Sequence, residues 1–343
     1  MSVADDFSLT RAGSLARLNT LRVAARAEWL AEARDAADVP RVLARPELRD
    51  LPCLALGGGS NVLFVHDVTG LVLRLANRGI TILEDSPEAA LVRVAAGENW
   101  DQFVRWSLEA GFQGLENLIL IPGSVGAAPI QNIGAYGVEA RDFIAGVEAW
   151  DREAETCVRF DNAACEFGYR DSIFKHRPNR YIVTDVDFLL PRRRALRLDY
   201  VGVRQELEAM GVRQPSAADV ARAVETLRRR KLPNPAQIGN AGSFFKNPVV
   251  SQTELAALRD RCPEMPAHAY GDDQFKLSAA WLIDACGLKG VREGAAGISE
   301  RHALVLVNHG GATGEELWAL ATRVRETVAE RFGVMLEPEP VVI

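Results

Sequence analysis

The sequence predicts an α+β protein built from more than one domain, and three observations carry that expectation. Short β-rich runs recur along the chain, stretches of helical pattern lie between them, and two glycine-dense segments interrupt apolar sequence in the first half. With 343 residues, 48% of them apolar and 25% charged, the chain is long enough to bury substantial cores and to form roughly two or three domains.

A helical signal comes first, because Ala24, Ala25, Ala27, Leu30, Ala31, Ala33, Ala36 and Ala37 crowd strong helix formers into one stretch before Pro40. The apolar run Cys53-Leu54-Ala55-Leu56 reads as a strand ending at glycines, and residues 62–65 and 71–75 as further strands around a turn. A second region starts near Asn77. It holds a strand at 91–94 and a helix in which Trp100, Phe103, Val104, Ser107 and Leu108 share one face before Gly111 stops it. Strands are expected at 147–150, 157–160 and 181–190. A polar, helical connection up to Arg230 leads to a third region with a helix near 277–286, a strand at 303–307 and an amphipathic helix over 313–332. The expected boundaries are 1–76, 77–212, 213–335 and a closing segment 336–343.

A net charge of −6 argues against a nucleic-acid-binding protein, since neutralising phosphates takes an excess of Lys and Arg. The five cysteines Cys53, Cys157, Cys165, Cys262 and Cys286 contain no C-x-x-C pair, so they read as buried free thiols of a cytoplasmic protein with no metal site. No apolar run approaches the ~20 residues that span a bilayer. The first twenty residues lack the pattern of a secretion signal, and no membrane association is expected.

The segment Leu56-Gly57-Gly58-Gly59-Ser60-Asn61-Val62-Leu63-Phe64 follows a strand and exposes backbone N–H groups able to wrap a diphosphate. Alone it fits a tight structural turn equally well, and it is neither a P-loop nor a Rossmann fingerprint. Residues 114–137 form a second segment, in which Ile121, Pro122, Gly123, Ser124, Gly126, Ile133 and Gly137 alternate apolar and small residues with neutral amides. Such a surface suits close approach to a large planar cofactor; a cluster of structural turns is the competing explanation.

Together the two segments resemble the FAD-binding elements of the vanillyl-alcohol-oxidase (PCMH) type of fold. Four further stretches extend the resemblance over nearly the whole chain: Leu18-Asn19-Thr20, Tyr169-Arg170-Asp171-Ser172-Ile173-Phe174-Lys175, Gly239-Asn240-Ala241-Gly242-Ser243-Phe244-Phe245-Lys246-Asn247-Pro248 and Leu336-Glu337-Pro338-Glu339. In that order they resemble the UDP-N-acetylenolpyruvoylglucosamine reductase family, and the insertion around Tyr200 resembles its longer type I form.

The resemblance implies an FAD-binding domain in two α/β subdomains followed by an α+β substrate-binding domain. It implies a non-covalent FAD held by Gly57, Gly58, Gly59, Ser60, Asn61, Ile121, Pro122, Gly123, Ser124, Gly126, Ile133 and Gly137, with NADPH and a UDP-sugar as small-molecule partners and a monomeric protein. Reduction of an enolpyruvyl ether places negative charge next to a carboxylate and then requires a proton. Arg170 suits the first need because a guanidinium grips a carboxylate through paired hydrogen bonds, although it could also be a surface partner of Asp171. The matching proton donor is Ser243, for which a turn or cap serine is the plain alternative. Glu339 matches the residue that assists Arg170; a carboxylate beside a carboxylate is awkward unless protonated or acting through hydrogen bonds, and a solvated C-terminal acid is the alternative. Tyr200, Lys231 and Asn247 match substrate and phosphate contacts, while His268 and His302 depart from the family pattern. Two other readings stay open here: a flavin oxidase of the same fold, and a nucleotide-sugar-binding module without catalysis.

Overall fold

The computed structural model describes residues 7–343, so the first six residues of the expected leaderless N-terminus and of the 1–76 segment lie outside the described residues. The chain divides into two units. One comprises residues up to Gly13, Arg26–Gly59 and Val68–Arg229; the other comprises Ser14–Ala25, Ser60–Asp67 and Arg230–Ile343.

In the first unit, a four-stranded sheet orders Ser8–Ser14, Arg26–Ala33, Val68–Leu75 and Cys53–Leu56. Val68–Leu75 pairs in parallel with both neighbours. The alanine-rich stretch expected to be helical is therefore wrong over Arg26–Ala33, which is a strand with Ala27, Ala31 and Ala33 buried. Helix propensity favours alanine by only tenths of a kcal/mol per residue over most others, and tertiary pairing overrides it. The helix begins only at Asp38, as the single short element Asp38–Leu43.

A second, antiparallel sheet of this unit runs Thr156–Asp161, Ile144–Asp151, Tyr181–Pro191, Ala89–Ala95, Ile80–Asp85. One face packs Val92, Val94, Val147, Ala149, Val186 and Phe188 against the helix Trp100–Glu109. That helix starts where the Asn99 side chain accepts the Gln102 N–H at 3.0 Å, and the chain turns out of it through Gly111 at φ +83°. The helix Ala217–Lys231 adds Val220, Val224 and Leu227 to the same core. The other face carries charge. Asp187 is 1% exposed and takes Arg93 bidentately, at 2.8 and 3.0 Å, with Arg159 as a further partner.

The second unit contains a sheet ordered Gly239–Asn240, Leu306–Asn308, Ala296–Ile298, Arg292–Glu293 and a three-stranded sheet Val249–Ser251, Gln274–Leu277, Ala267–Ala269. The long helix Gly314–Phe332 matches the expected amphipathic one. Thr313 and Glu316 cap it reciprocally, at 3.1 and 2.8 Å. The strand expected at 303–307 begins only at Leu306, because Val305 turns back: its N–H reaches His302 O at 3.1 Å and its carbonyl accepts Ser299 N–H at 2.8 Å. The cysteines are free, but only Cys53 and Cys165 are buried; Cys157 is exposed on the edge strand Thr156–Asp161, while Cys262 and Cys286 are half-buried. Desolvation pushes the Cys53 thiol up to about 11 and Cys165 up to about 12, so neither is a ready nucleophile.

The charged face of the antiparallel sheet supports a test of stability. Burial, reinforced by Glu148 and opposed by a Thr184 hydrogen bond and Arg93, pushes the Asp185 carboxyl up to about 6. A carboxyl raised in the folded state costs stability above that value, and the cost fades as pH falls to the unfolded value. Asp185→Asn should therefore raise the thermal midpoint at pH 7.5 by the equivalent of roughly 1–2 kcal/mol, with the gain gone near pH 4. A gain that persists unchanged at pH 4 in thermal melts would assign it to packing instead.

Candidate active site

In the first unit the two glycine-dense segments are packed backbone to backbone. A Cβ on Gly57 would lie 2.0 Å from Ser124 Oγ, and one on Gly58 would lie 3.0 Å from Gly123 Cα. No other residue fits at Gly57 without moving its neighbour, so packing against Ser124 accounts for that glycine. Residues 123–126 are sewn to the end of the strand Ala89–Ala95: Trp100 N–H donates to Gly123 O at 3.1 Å, Val125 N–H to Glu98 O at 2.9 Å and Gly126 N–H to Ala96 O at 2.9 Å. Gly126 is as constrained as Gly57, since its Cβ would meet Ala96 Cβ at 2.5 Å.

Arg170 belongs to the same unit and projects from a tight turn closed by Gly168 N–H on Asp171 O at 3.0 Å. Its backbone is left-handed, φ +55°, and Tyr136 is similar at +50°. Non-glycine residues pay about 1–2 kcal/mol for that conformation, so surrounding contacts have to hold it. Arg170 Nη2 donates to Gly134 O at 2.8 Å, inside the second segment, and its guanidinium lies 5.3 Å from the Tyr169 ring centroid. Asp171, its neighbour in the turn, bonds His176 at 2.8 Å.

Tyr200 packs edge-on against Tyr136, ring centroids 5.0 Å apart, while half of it remains exposed. Close to Tyr136 lies Arg228, which the sequence reading left within a polar, helical connection up to Arg230. The helical phase was the available signal, since Arg228 follows Val224 by four positions and Ala221 by seven, both buried. Burial depresses its guanidinium, with Tyr136 and Asp101 opposing that shift; burial likewise raises the Tyr136 phenol. Two buried polar atoms of this unit, Arg228 Nε and Asn117 Oδ1, have no hydrogen-bond partner. Asn117 is tied to the same place, its Nδ2 donating to Tyr136 O at 2.9 Å. One orphan is a donor and the other an acceptor, so a cofactor ring carrying carbonyls and an imide N–H supplies both kinds of partner. The glycine cradle and these orphans fit a flavin dinucleotide.

In the second unit, the stretches that carry Ser243 and Glu339 lie side by side. Gly242, φ +70°, turns the chain after Asn240, whose side chain accepts Gly242 N–H at 3.0 Å and donates to Pro233 O and Ile238 O. Phe244 and Phe245, each 1% exposed, then anchor the stretch that follows Ser243. The C-terminal segment runs antiparallel beside it: Glu339 N–H donates to Phe244 O and Lys246 N–H to Glu337 O, both at 2.9 Å. The Glu337 carboxylate bonds Lys246 Nζ at 2.9 Å. Asn61 Nδ2 donates to Glu339 O at 3.1 Å, and Val341–Val342 pairs in parallel with Val62–Leu63.

Asn247 Oδ1 accepts Ala279 N–H at 3.0 Å, which turns its NH₂ group the other way. Lys231 ends its helix in this unit; its charge and that of Lys289, added to burial, hold His302 below the usual histidine range. Of the candidates, then, Gly57, Gly58, Gly59, Ile121, Pro122, Gly123, Ser124, Gly126, Ile133, Gly137, Arg170 and Tyr200 belong to the first unit, and Ser60, Asn61, Lys231, Ser243, Asn247 and Glu339 to the second.

Comparison with known proteins agrees with this chemistry. Residues 27–161 match the FAD binding domain, and residues 234–343 match the UDP-N-acetylenolpyruvoylglucosamine reductase C-terminal domain. The chain is 53% identical to the UDP-N-acetylenolpyruvoylglucosamine reductase of Pseudomonas aeruginosa, covering 95% of this chain and 96% of that one. It is 52% identical to that of Xanthomonas euvesicatoria pv. vesicatoria, covering 100% and 98%. The crystal structure of the reductase from Thermus caldophilus superposes with a TM-score of 0.68 at 26% identity, covering 98% of each chain. A mixed α and β protein with an FAD-binding domain, this chain belongs to the UDP-N-acetylenolpyruvoylglucosamine reductase family.

Proposed function

We propose that the chain reduces UDP-N-acetylglucosamine enolpyruvate to UDP-N-acetylmuramate with NADPH as reductant, in peptidoglycan biosynthesis, as a cytoplasmic monomer. No helix among the described residues is long and apolar enough to cross a membrane. The reading divides the chain into FAD-binding subdomains 1–76 and 77–212, a substrate-binding domain 213–335 and a closing segment 336–343.

Bound FAD supplies the chemistry of accepting hydride from NADPH and passing it to the enolpyruvyl carbon. The chain's residues do the rest. Arg170 takes the substrate carboxylate, where its permanent charge and fork of donors stabilise the negative charge that develops as the double bond is reduced. Ser243 gives its hydroxyl proton to the adjacent carbon. Glu339 acts through a hydrogen bond that strengthens the polarisation by Arg170, because a bare carboxylate facing the substrate's own would repel it. Tyr200, Lys231 and Asn247 contact substrate and cofactor phosphates; Gly57, Gly58, Gly59, Ser60, Asn61, Ile121, Pro122, Gly123, Ser124, Gly126, Ile133 and Gly137 hold the cofactor.

The observation that carries the reading is the docking of Arg170 Nη2 on Gly134 O at 2.8 Å, which ties the one residue suited to the enolpyruvyl carboxylate to the cofactor segment itself.

Two substitutions test it. Ser243→Ala should leave bleaching of the ~450 nm flavin band by NADPH within about threefold of normal, while its anaerobic recovery with the enolpyruvyl sugar slows by roughly 10²–10⁴-fold. Equal losses in both phases, read by stopped-flow absorbance, would remove Ser243 from its role. Gly57→Ala should weaken FAD retention at least about tenfold, since the new methyl overlaps Ser124 Oγ, and Gly57→Ala combined with Ser124→Gly should recover part of it. Flavin titration of the purified variants reads both outcomes, and full flavin content in Gly57→Ala alone would show that the two segments do not meet as described.

A further inference from the structure

Arg170 projects from the tip of a turn, and both stems of that turn are fastened to one short stretch of the second glycine segment. On one side Gly168 O accepts a hydrogen bond from Asn132 Nδ2 at 2.9 Å. On the other, Ser172 Oγ donates to Ile130 O at 2.6 Å. The guanidinium itself reaches Gly134 O. Three contacts, from residues 168, 170 and 172, thus land on residues 130, 132 and 134.

Asn132 is the centre of this arrangement. It is fully buried, and its amide is used completely: Nδ2 also donates to Glu139 Oε2 at 2.9 Å, and Oδ1 accepts Arg141 N–H at 3.0 Å. Because the oxygen faces an N–H and the nitrogen faces a carbonyl and a carboxylate, only one orientation of the amide satisfies all three partners. Its own backbone is left-handed, φ +43°, a conformation asparagine tolerates better than most residues. Arg170 at φ +55° would relax toward commoner backbone angles if the stems were released, swinging the guanidinium.

We propose that Asn132, with Ser172, is a positioning residue that fixes the Arg170 guanidinium against the cofactor segment. The inference rests on the reading that Arg170 receives the substrate carboxylate. Asn132 touches no reacting atom in this account and acts only through Arg170.

The test is a double-mutant cycle on the holoenzyme, with the two half-reactions followed separately. Asn132→Ala should slow anaerobic flavin reoxidation by the enolpyruvyl sugar on the order of 10²-fold, the loss expected for a misplacement of about 1 Å, and leave reduction by NADPH within about threefold. In an Arg170→Ala background the same change should cost less than about twofold further, because the group it positions is gone. Ser172→Ala should show the same non-additivity to a smaller degree, and it serves if Asn132→Ala fails to fold or loses FAD. Losses that multiply independently in the Arg170→Ala background, or that fall equally on both half-reactions, would overturn the positioning role. If Arg170→Ala alone leaves reoxidation unchanged, the assignment of Arg170 falls, and this inference with it; a slow Arg170→Ala with a normal Asn132→Ala and Ser172→Ala sinks the inference alone.

Discussion

The close packing of Gly57-Gly58 against Gly123-Ser124 in the first unit is the constraint from which the rest of that unit follows. A side chain at Gly57 would occupy the space of Ser124 Oγ. The parallel sheet ends at Gly57, and the segment it meets is bonded through Ala96 and Glu98 to the end of a strand of the antiparallel sheet. The contact therefore joins two sheets through a surface with almost no side chains. Such a surface can lie against phosphates and a flat ring at backbone distance, which a surface of ordinary side chains cannot.

A comparable economy governs the second unit, where the last residues of the chain become structural. Ser243 precedes two buried phenylalanines, and Glu339 is clamped to the carbonyl of the first of them. The two segments that carry these residues are held side by side by main-chain bonds. Parallel pairing of Val341–Val342 with Val62–Leu63 extends that hold to the end of the chain, so Glu339 sits within a paired segment and not on a loose tail.

Much of this was legible in the sequence, and for a physical reason. Close backbone contact leaves a compositional trace: glycines and amides accumulate where main chain meets main chain, as at 57–59 and 123–137, and the strands marked by apolar, β-rich runs, such as Cys53–Leu56 and Tyr181–Pro191, fall where their pattern places them. What was not legible depended on distant partners. Arg26–Ala33 reads as helix because its alanines favour one, yet strand Val68–Leu75 claims it. Arg228 hides in a run of like charges, and only the buried neighbours on its helix reveal that it faces inward. The turn that delays the strand to Leu306 is set by His302 and Ser299, which no local propensity announces.

The orphaned atoms give the two kinds of legibility a common meaning. A buried donor or acceptor without a partner costs about 1–3 kcal/mol, and a guanidinium more. A fold that retains Arg228 Nε and Asn117 Oδ1 in that condition, beside a tyrosine held in left-handed backbone, is less stable than it could be with apolar residues there. Such expense persists where a ligand relieves it, since anything that binds only the folded chain shifts the folding equilibrium in its favour. A cofactor bound beside these residues would supply the missing partners, while the arginine turn at 168–172 takes its rigidity from hydrogen bonds to Ile130, Asn132 and Gly134.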